Sequence, residues 1–217
     1  MTDKFLRLEE DKRQRIITAA LWEFARQGYK DAKTDNIVEE ASISKGLLFH
    51  YFGTKKKLFL FLFDYALEIF EELAGQISMH EDIFERLRQN NALKLDYYRR
   101  YPDLMNFGAS VWIKGAAELQ EELFPRMEPM NRKIYASLYE GLDLSRFRDD
   151  VDPKVAINII LMTMEGLSNK IIADYQKQYR DVPIEGLESS FAKYITEFEK
   201  HLEVLKKTLY KEGRQGN

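Results

Sequence analysis

Apolar residues recur at helical spacing from early in the chain. Between Asp11 and Gln27, residues Ile16, Ile17, Ala20, Leu21, Phe24 and Ala25 share one side of a 3.6-residue wheel, with Lys12, Arg13 and Arg15 on the polar side. That pattern predicts an amphipathic helix, which Gly28 stops as a C-terminal cap. Thr34 suits the N-cap of a short second helix, Asp35 to Glu40, with Ile37, Val38 and Ala41 on its buried side. Ser44 caps a third, Lys45 to Phe52, before Gly53-Thr54 breaks the chain and caps a fourth beginning at Lys55. The second and third helices are separated by about three residues, the spacing of a helix-turn-helix unit whose later helix can enter a DNA major groove.

Beyond Leu58 the periodicity predicts longer helices at about 55–78, 81–101, 103–117, 119–141, 152–179 and 185–211. Pro102, Pro125, Pro129, Pro153 and Pro183 fall at or near the breaks, although Pro125 and Pro129 could instead kink or split one helix. Val155 to Leu167 is apolar nearly all round, interrupted by Asn158, Thr163 and Glu165, and is expected to be enclosed on most sides. In the last helix Phe191, Ile195, Phe198, Leu202, Leu205 and Leu209 follow a 4-3-4-3-4 spacing. This heptad-like seam packs on neighbouring helices, and with the preceding helix it is a candidate dimer interface. The expected fold is all-α: a helix-turn-helix domain over residues 1–54, then a larger helical domain over 55–217.

Composition narrows the functional classes. The chain has 217 residues, 45% hydrophobic and 32% charged, a globular balance. The absence of cysteine excludes disulfides, thiolate metal sites and a Cys nucleophile. His50, His80 and His201 lie far apart, which argues against an imidazole-rich metal centre, and no cofactor is expected. The sequence holds no P-loop, G-x-G-x-x-G, G-x-S-x-G or H-E-x-x-H pattern, so nothing in it favours an enzyme. The start of the chain has no apolar signal region, and the run Leu58 to Phe63 ends at Asp64, too short for a membrane span. A cytoplasmic protein without membrane attachment is expected.

The net charge of −3 conceals an asymmetry: residues 1–57 carry +3 and residues 58–217 carry −6. A basic head can hold phosphates while an acidic body is repelled from the same polyanion, although differences of a few charges also arise by chance. On the third helix Leu48 and Phe52 share one side. Gly46, Leu47 and His50 point roughly the other way, flanked by Phe49 and Tyr51. So aromatic an outward face marks a contact site.

These residues resemble the N-terminal domain of the tetracycline-repressor (TetR) family of bacterial transcriptional regulators. The resemblance runs from about Arg13 to Leu58 and rests on Ile17-Thr-Ala-Ala20, Phe24, Gly28-Tyr29, Thr34, Ile37, Ala41, Ser44-Lys-Gly46, Leu48, His50-Tyr-Phe52, Lys55 and Leu58. It implies a homodimer whose recognition helices enter successive major grooves of a palindromic operator on double-stranded DNA. It also implies a small-molecule effector in the helical body that alters the binding. Two positions depart from the family pattern. Phe49 stands where Tyr is common, removing a hydroxyl-to-phosphate bond, and Leu47 stands where a small polar residue is common, leaving an apolar contact with a thymine methyl in its place.

By resemblance and by the helical wheel, Ser44, Lys45, Gly46, Leu47, Phe49, His50 and Tyr51 form the recognition surface. Lys45 can donate to a base edge or a phosphate, Gly46 lets the backbone approach the groove, and His50 and Tyr51 can donate to phosphates. Thr34, Lys55 and Lys56 are further candidates for phosphate contact. Lysines 55–57 oppose the dipole of the fourth helix, a local cost that an anionic partner would explain, as would a solvated lysine run.

In the body Tyr97, Tyr98, Met105, Phe107, Trp112, Met162, Glu165 and Asn169 combine aromatic walls with polar anchors and are candidates to line a pocket for a small, largely apolar effector. Core packing competes with that role for most of them. Glu165, a carboxylate in an apolar stretch, could bind a cationic or hydroxylated effector or pair with Lys170 or an arginine elsewhere. The reading that follows is an effector-responsive DNA-binding repressor. The alternative is a helical adaptor that binds protein through the aromatic face of the third helix.

Overall fold

The computed structural model describes residues 2–114, 116–178 and 187–211. All regular elements among them are helical: α1 (Thr2–Leu6), α2 (Glu10–Asp31), α3 (Thr34–Glu40), α4 (Lys45–Phe52), α5 (Lys55–Gly75), α6 (Ile83–Arg100), α7 (Pro102–Lys114), α8 (Gln120–Tyr139), α9 (Pro153–Gln178) and α10 (Leu187–Leu209). Helical turns at Ala117–Leu119 and Leu144–Arg146 link the longer elements. Each expected helix is present within a few residues of its expected ends. Pro125 and Pro129 both lie inside α8, which runs through them as one helix.

Packing divides the chain along different lines from the functional boundary expected at 54/55. One compact unit combines residues 1–76 with 96–134, and the other combines 77–95 with 135–217. In the first, the predicted face of α2 is buried: Ile16, Ala20 and Phe24 are fully enclosed and Ile17 and Leu21 nearly so. The Phe24 ring meets Phe59 of α5 edge-on at 5.0 Å between centroids, and Phe59 meets Phe107 of α7 at 5.3 Å. Gly108 permits close approach of α7 to α5, since a Cβ there would lie 2.4 Å from the ring of Phe70. The short α1 was not expected. Its Phe5 is fully buried among Tyr51, Phe52 and Phe61.

In the second unit, α10 packs along α9. The candidate dimer residues Phe198 and Leu202 are buried in this unit's own core, Leu202 completely, and Leu205 packs half-buried against it. A heptad seam specifies close packing and not which chain supplies the partner. Here the same chain supplies it, so Phe198 and Leu202 present no surface to a second subunit. Ile195 is exposed, and the side chain of Phe191 lies outside the described residues. The expectation that α9 is enclosed on most sides is also corrected. Ala156, Ile157, Ile160 and Met164 are buried, but Val155, Ile159 and Met162 are 54%, 45% and 72% exposed.

Arg86 anchors this unit. It is buried, and its guanidinium donates to the carbonyls of Ser137 (2.6 Å), Glu140 (2.9 Å), His80 (2.6 Å) and Met79 (3.1 Å). Burial pushes its pKa below the usual arginine value, while the carbonyls at the end of α8 favour a cation through the helix dipole. Nearby, buried Asp82 accepts from the amide of Phe84 at 2.9 Å, from Arg146 at 3.0 Å and from the hydroxyl of Tyr210 at 3.2 Å. It thereby ties the start of α6 to the end of α10. Replacing Arg86 with methionine leaves four carbonyls without their donor, so Arg86→Met is expected to lower unfolding free energy by about 3 kcal/mol or more in urea titration.

Candidate nucleic-acid interface

The helix-turn-helix geometry is built from backbone bonds at the end of α3. The amide of Ser42 donates to the carbonyl of Glu39 at 3.1 Å and that of Ile43 to Val38 at 3.0 Å, the paired bonds of a Schellman stop. That stop needs a residue in the left-handed region, and Ser42 holds it with φ of 52°. Gly28 interrupts α2 at the expected place with a positive φ of 73° that glycine adopts without steric cost, and one further helical turn follows it. Ser44 then caps α4, its hydroxyl accepting from the amide of Leu47 at 3.2 Å, and Thr54 caps α5 by accepting from Lys57 at 3.1 Å.

A buried carboxylate fixes α3 against α2. Glu23 accepts from the amide of Lys33 at 2.7 Å and from the side-chain amide of Asn36 at 3.1 Å, occupying the N-terminus of α3. The N-cap position itself is Lys33, one residue before Thr34, which is half-exposed in the first turn. Asp35, also in that turn, pairs with Lys45 at the start of α4 at 2.7 Å.

On α4, Leu48 and Phe52 are buried as the wheel predicts. Ser44, Lys45, Gly46 and His50 are exposed, and Leu47 and Phe49 are half-buried. A Cβ on Gly46 would meet nothing within 4 Å, so the backbone here is open to approach. Tyr51 corrects the expectation. It is only 7% exposed, its ring packed edge-on against Phe5 at 5.8 Å, because α1 covers that side of the helix. The outward face is therefore less aromatic than the wheel suggested.

The lysine run is largely engaged within the protein. Nζ of Lys55 donates to the carbonyls of Lys30 and Ala32, both at 3.0 Å, and lies 5.0 Å from the Tyr29 ring centroid. Carbonyls ending one helix offset the misfit of a lysine beginning another, and one ammonium N–H is left for an outside partner. Lys56 forms an ion pair with Glu122 of α8; their mutual hydrogen bond raises the lysine pKa and lowers that of the carboxylate. Lys57, which was not among the candidates, is exposed.

The candidate effector residues are differently placed. Tyr97 is fully buried as a strut between α6 and α5, its hydroxyl donating to Glu72 at 2.9 Å and accepting from Gln76 at 2.7 Å. Phe107 belongs to the ring cluster of the first unit, Met105 is buried in the same unit, and Tyr98 is half-buried there. Met162, Glu165 and Asn169 are exposed on α9, so Glu165 carries no burial penalty within the chain. The side chain of Trp112 lies outside the described residues. An apolar cavity of about 270 Å³ in the first unit is lined instead by Val111, Ala116, Leu123, Phe124 and Met127, with Gln120 and Asn131 as its polar groups. Among the described residues no group of His, Asp or Glu is placed to hold a metal ion, and no helix is long and apolar enough to cross a membrane.

Residues 16–62, from within α2 into α5, match the family described as bacterial regulatory proteins, tetR family. The HTH-type transcriptional repressor SCO4008 of Streptomyces coelicolor is 32% identical over 156 residues, 71% of this chain and 77% of that one. The chain belongs to the tetR family. The HTH-type transcriptional regulator RutR of Escherichia coli K12 is 30% identical over 124 residues, so the match spans 56% of this chain and only 58% of RutR. In fold, the chain is similar to a TetR family transcriptional regulator from Chloroflexus aurantiacus, with a TM-score of 0.68 and 20% identity over 97% of this chain and 99% of that one. The tetR match covers the elements that carry the exposed α4 face.

Three contributors to this surface were not foreseen: Phe5, Glu23 and Asp35. Glu23 had a legible signal, since it falls at the buried spacing of α2 beside Ala20 and Phe24. Ser42 holds a conformation that glycine adopts without steric cost. Ser42→Gly is therefore expected to raise stability by about 0.5–1 kcal/mol, read as a higher urea midpoint at unchanged slope.

Proposed function

We propose that the protein is a DNA-binding transcriptional repressor that binds a palindromic operator as a homodimer and is released or altered by a small, largely apolar effector. The observation that carries this reading is the α3–α4 unit: α4 is held by Leu48 and Phe52 while Lys45, Gly46 and His50 stand outward at its exposed edge. A bare backbone at Gly46 beside a cation suits entry into a major groove, where Lys45 can reach a base edge and Ser44, Thr34 and His50 can reach phosphates. Half-buried Leu47 and Phe49 offer apolar edges. Lys55 holds the end of α2 and has one donor left for a phosphate. The burial of Tyr51 removes much of the aromatic face that favoured a protein-binding adaptor. This reading is of a binding protein and not an enzyme, acting in the cytoplasm where its DNA would be.

The dimer is best supported by α9. Val155, Ile159 and Met162 follow 4-3 spacing along one exposed stripe, and apolar side chains of that size gain by being covered in a symmetric pair. The effector is best supported by the cavity beside Leu123, Phe124 and Met127, which matches a small ligand carrying one or two neutral polar groups.

Selection of bound fragments from the source genome at moderate salt tests the central reading. Palindromic fragments are expected to be enriched, with Lys45→Ala weakening the selected fragment more than random duplex; enrichment of none would end it. For the dimer, Met162→Glu is expected to give a folded monomer by sedimentation, and an intact dimer would move the interface elsewhere.

A further inference from the structure

Two lysines in the first turns of helices of the first unit each carry a carboxylate partner. Lys45, in the first turn of α4, holds Asp35 of α3 at 2.7 Å, with side chains 53% and 69% exposed. Lys56, in the first turn of α5, holds Glu122 of α8, with side chains 44% and 34% exposed. A carboxylate oxygen and a phosphate oxygen are the same kind of acceptor for an ammonium group. We infer that Asp35 is a specificity-setting residue that occupies Lys45 in competition with DNA phosphates. The inference rests on the proposed DNA-binding function.

Exposed ion pairs are weak, so a phosphate can displace the Asp35 carboxylate. The exchange of one anion for another yields little, and the displaced carboxylate is left close to a phosphate that repels it. Random duplex offers only this exchange, so the pair persists and the protein uses fewer phosphate contacts. An operator adds a base-edge contact for Lys45 beside the open backbone of Gly46, and that surplus breaks the Asp35 pair. Asp35 thus weakens binding to random sequence more than binding to the operator. It achieves this without touching a base.

The salt dependence of binding separates these states, because each phosphate contact adds about 0.9 to the slope of log affinity against log salt. For Asp35→Asn, the slope on random duplex is expected to steepen by about 0.9. The slope on a selected operator fragment should change by much less, and the ratio of operator to random affinity should fall about three- to tenfold. Asp64→Asn, which breaks the pair with Arg126 midway along α5, is the control and should leave both slopes unchanged. Asp35 and Asp64 are exposed, and thermal melts would verify that the variants fold.

An unchanged slope on random duplex would overturn the inference, as would equal steepening on both DNAs or steepening in the Asp64 control. Absence of duplex binding by the unaltered protein at low salt would instead overturn the DNA-binding function on which it rests.

Discussion

The contact of Phe24, Phe59 and Phe107 is the constraint on which the first unit depends. These rings come from α2, α5 and α7, all three are essentially inaccessible, and their edge-to-face geometry adds to the gain from burial. Truncating any one would cost about 3–5 kcal/mol. Because α2 is held to α5 and α7, helices α2, α3 and α4 do not form a core that closes by itself. Helix α4 is joined to that core through Leu48 and Phe52, so its position is set by the same packing. A functional boundary near residue 54 and a packing boundary near residue 76 are therefore different things. The first marks what could touch DNA, and the second marks what must fold together.

Polar groups refine what the rings establish. Glu23 closes the N-terminus of α3 from within α2, and Lys55 closes the last carbonyls of α2 from the start of α5. Both place a charge where a helix dipole favours it. The result is a ring of constraints, α2 to α3 by a carboxylate, α3 to α4 by a Schellman stop and the Asp35 pair, and α5 back to α2 by an ammonium group. A lysine that appears out of place on its own helix is well placed on another.

Helix positions were legible because the apolar spacing of this chain is regular, and α2 and α4 bury most of the side chains that the spacing assigns to their inner faces. The outward edge at Lys45, Gly46 and His50 was legible for the same reason. Tyr51 was not, because its burial depends on Phe5, brought from more than forty residues away by a five-residue helix with no periodicity of its own. The roles of Lys55 and Lys56 were likewise hidden, since a lysine run looks the same whether its charges meet solvent, phosphate, a carbonyl or a distant glutamate. The burial of Phe198 and Leu202 within their own chain was hidden for a related reason. Periodicity reports that Phe198 and Leu202 are packed, and only the fold reports that the same chain packs them.

The converse error on α9 is the more informative one. A stretch apolar on nearly every side predicts complete enclosure, yet the folded chain encloses only the side holding Ala156, Ile157, Ile160 and Met164. The pattern thus specifies more covering than one chain provides. Val155, Ile159 and Met162 carry the excess, and the hydroxyl of Tyr139 reaches Asn158 beside them at 2.9 Å. In an isologous pair the same stripe would serve on both copies, residue i of one meeting residue j of the other and the reverse, and methionine adapts readily to such a contact. Binding of a second copy would then stabilise the fold by mass action, making the stability of this unit a function of protein concentration. The apolar residues of α9 thus exceed what its own unit covers, and they follow the same periodicity that specifies the core.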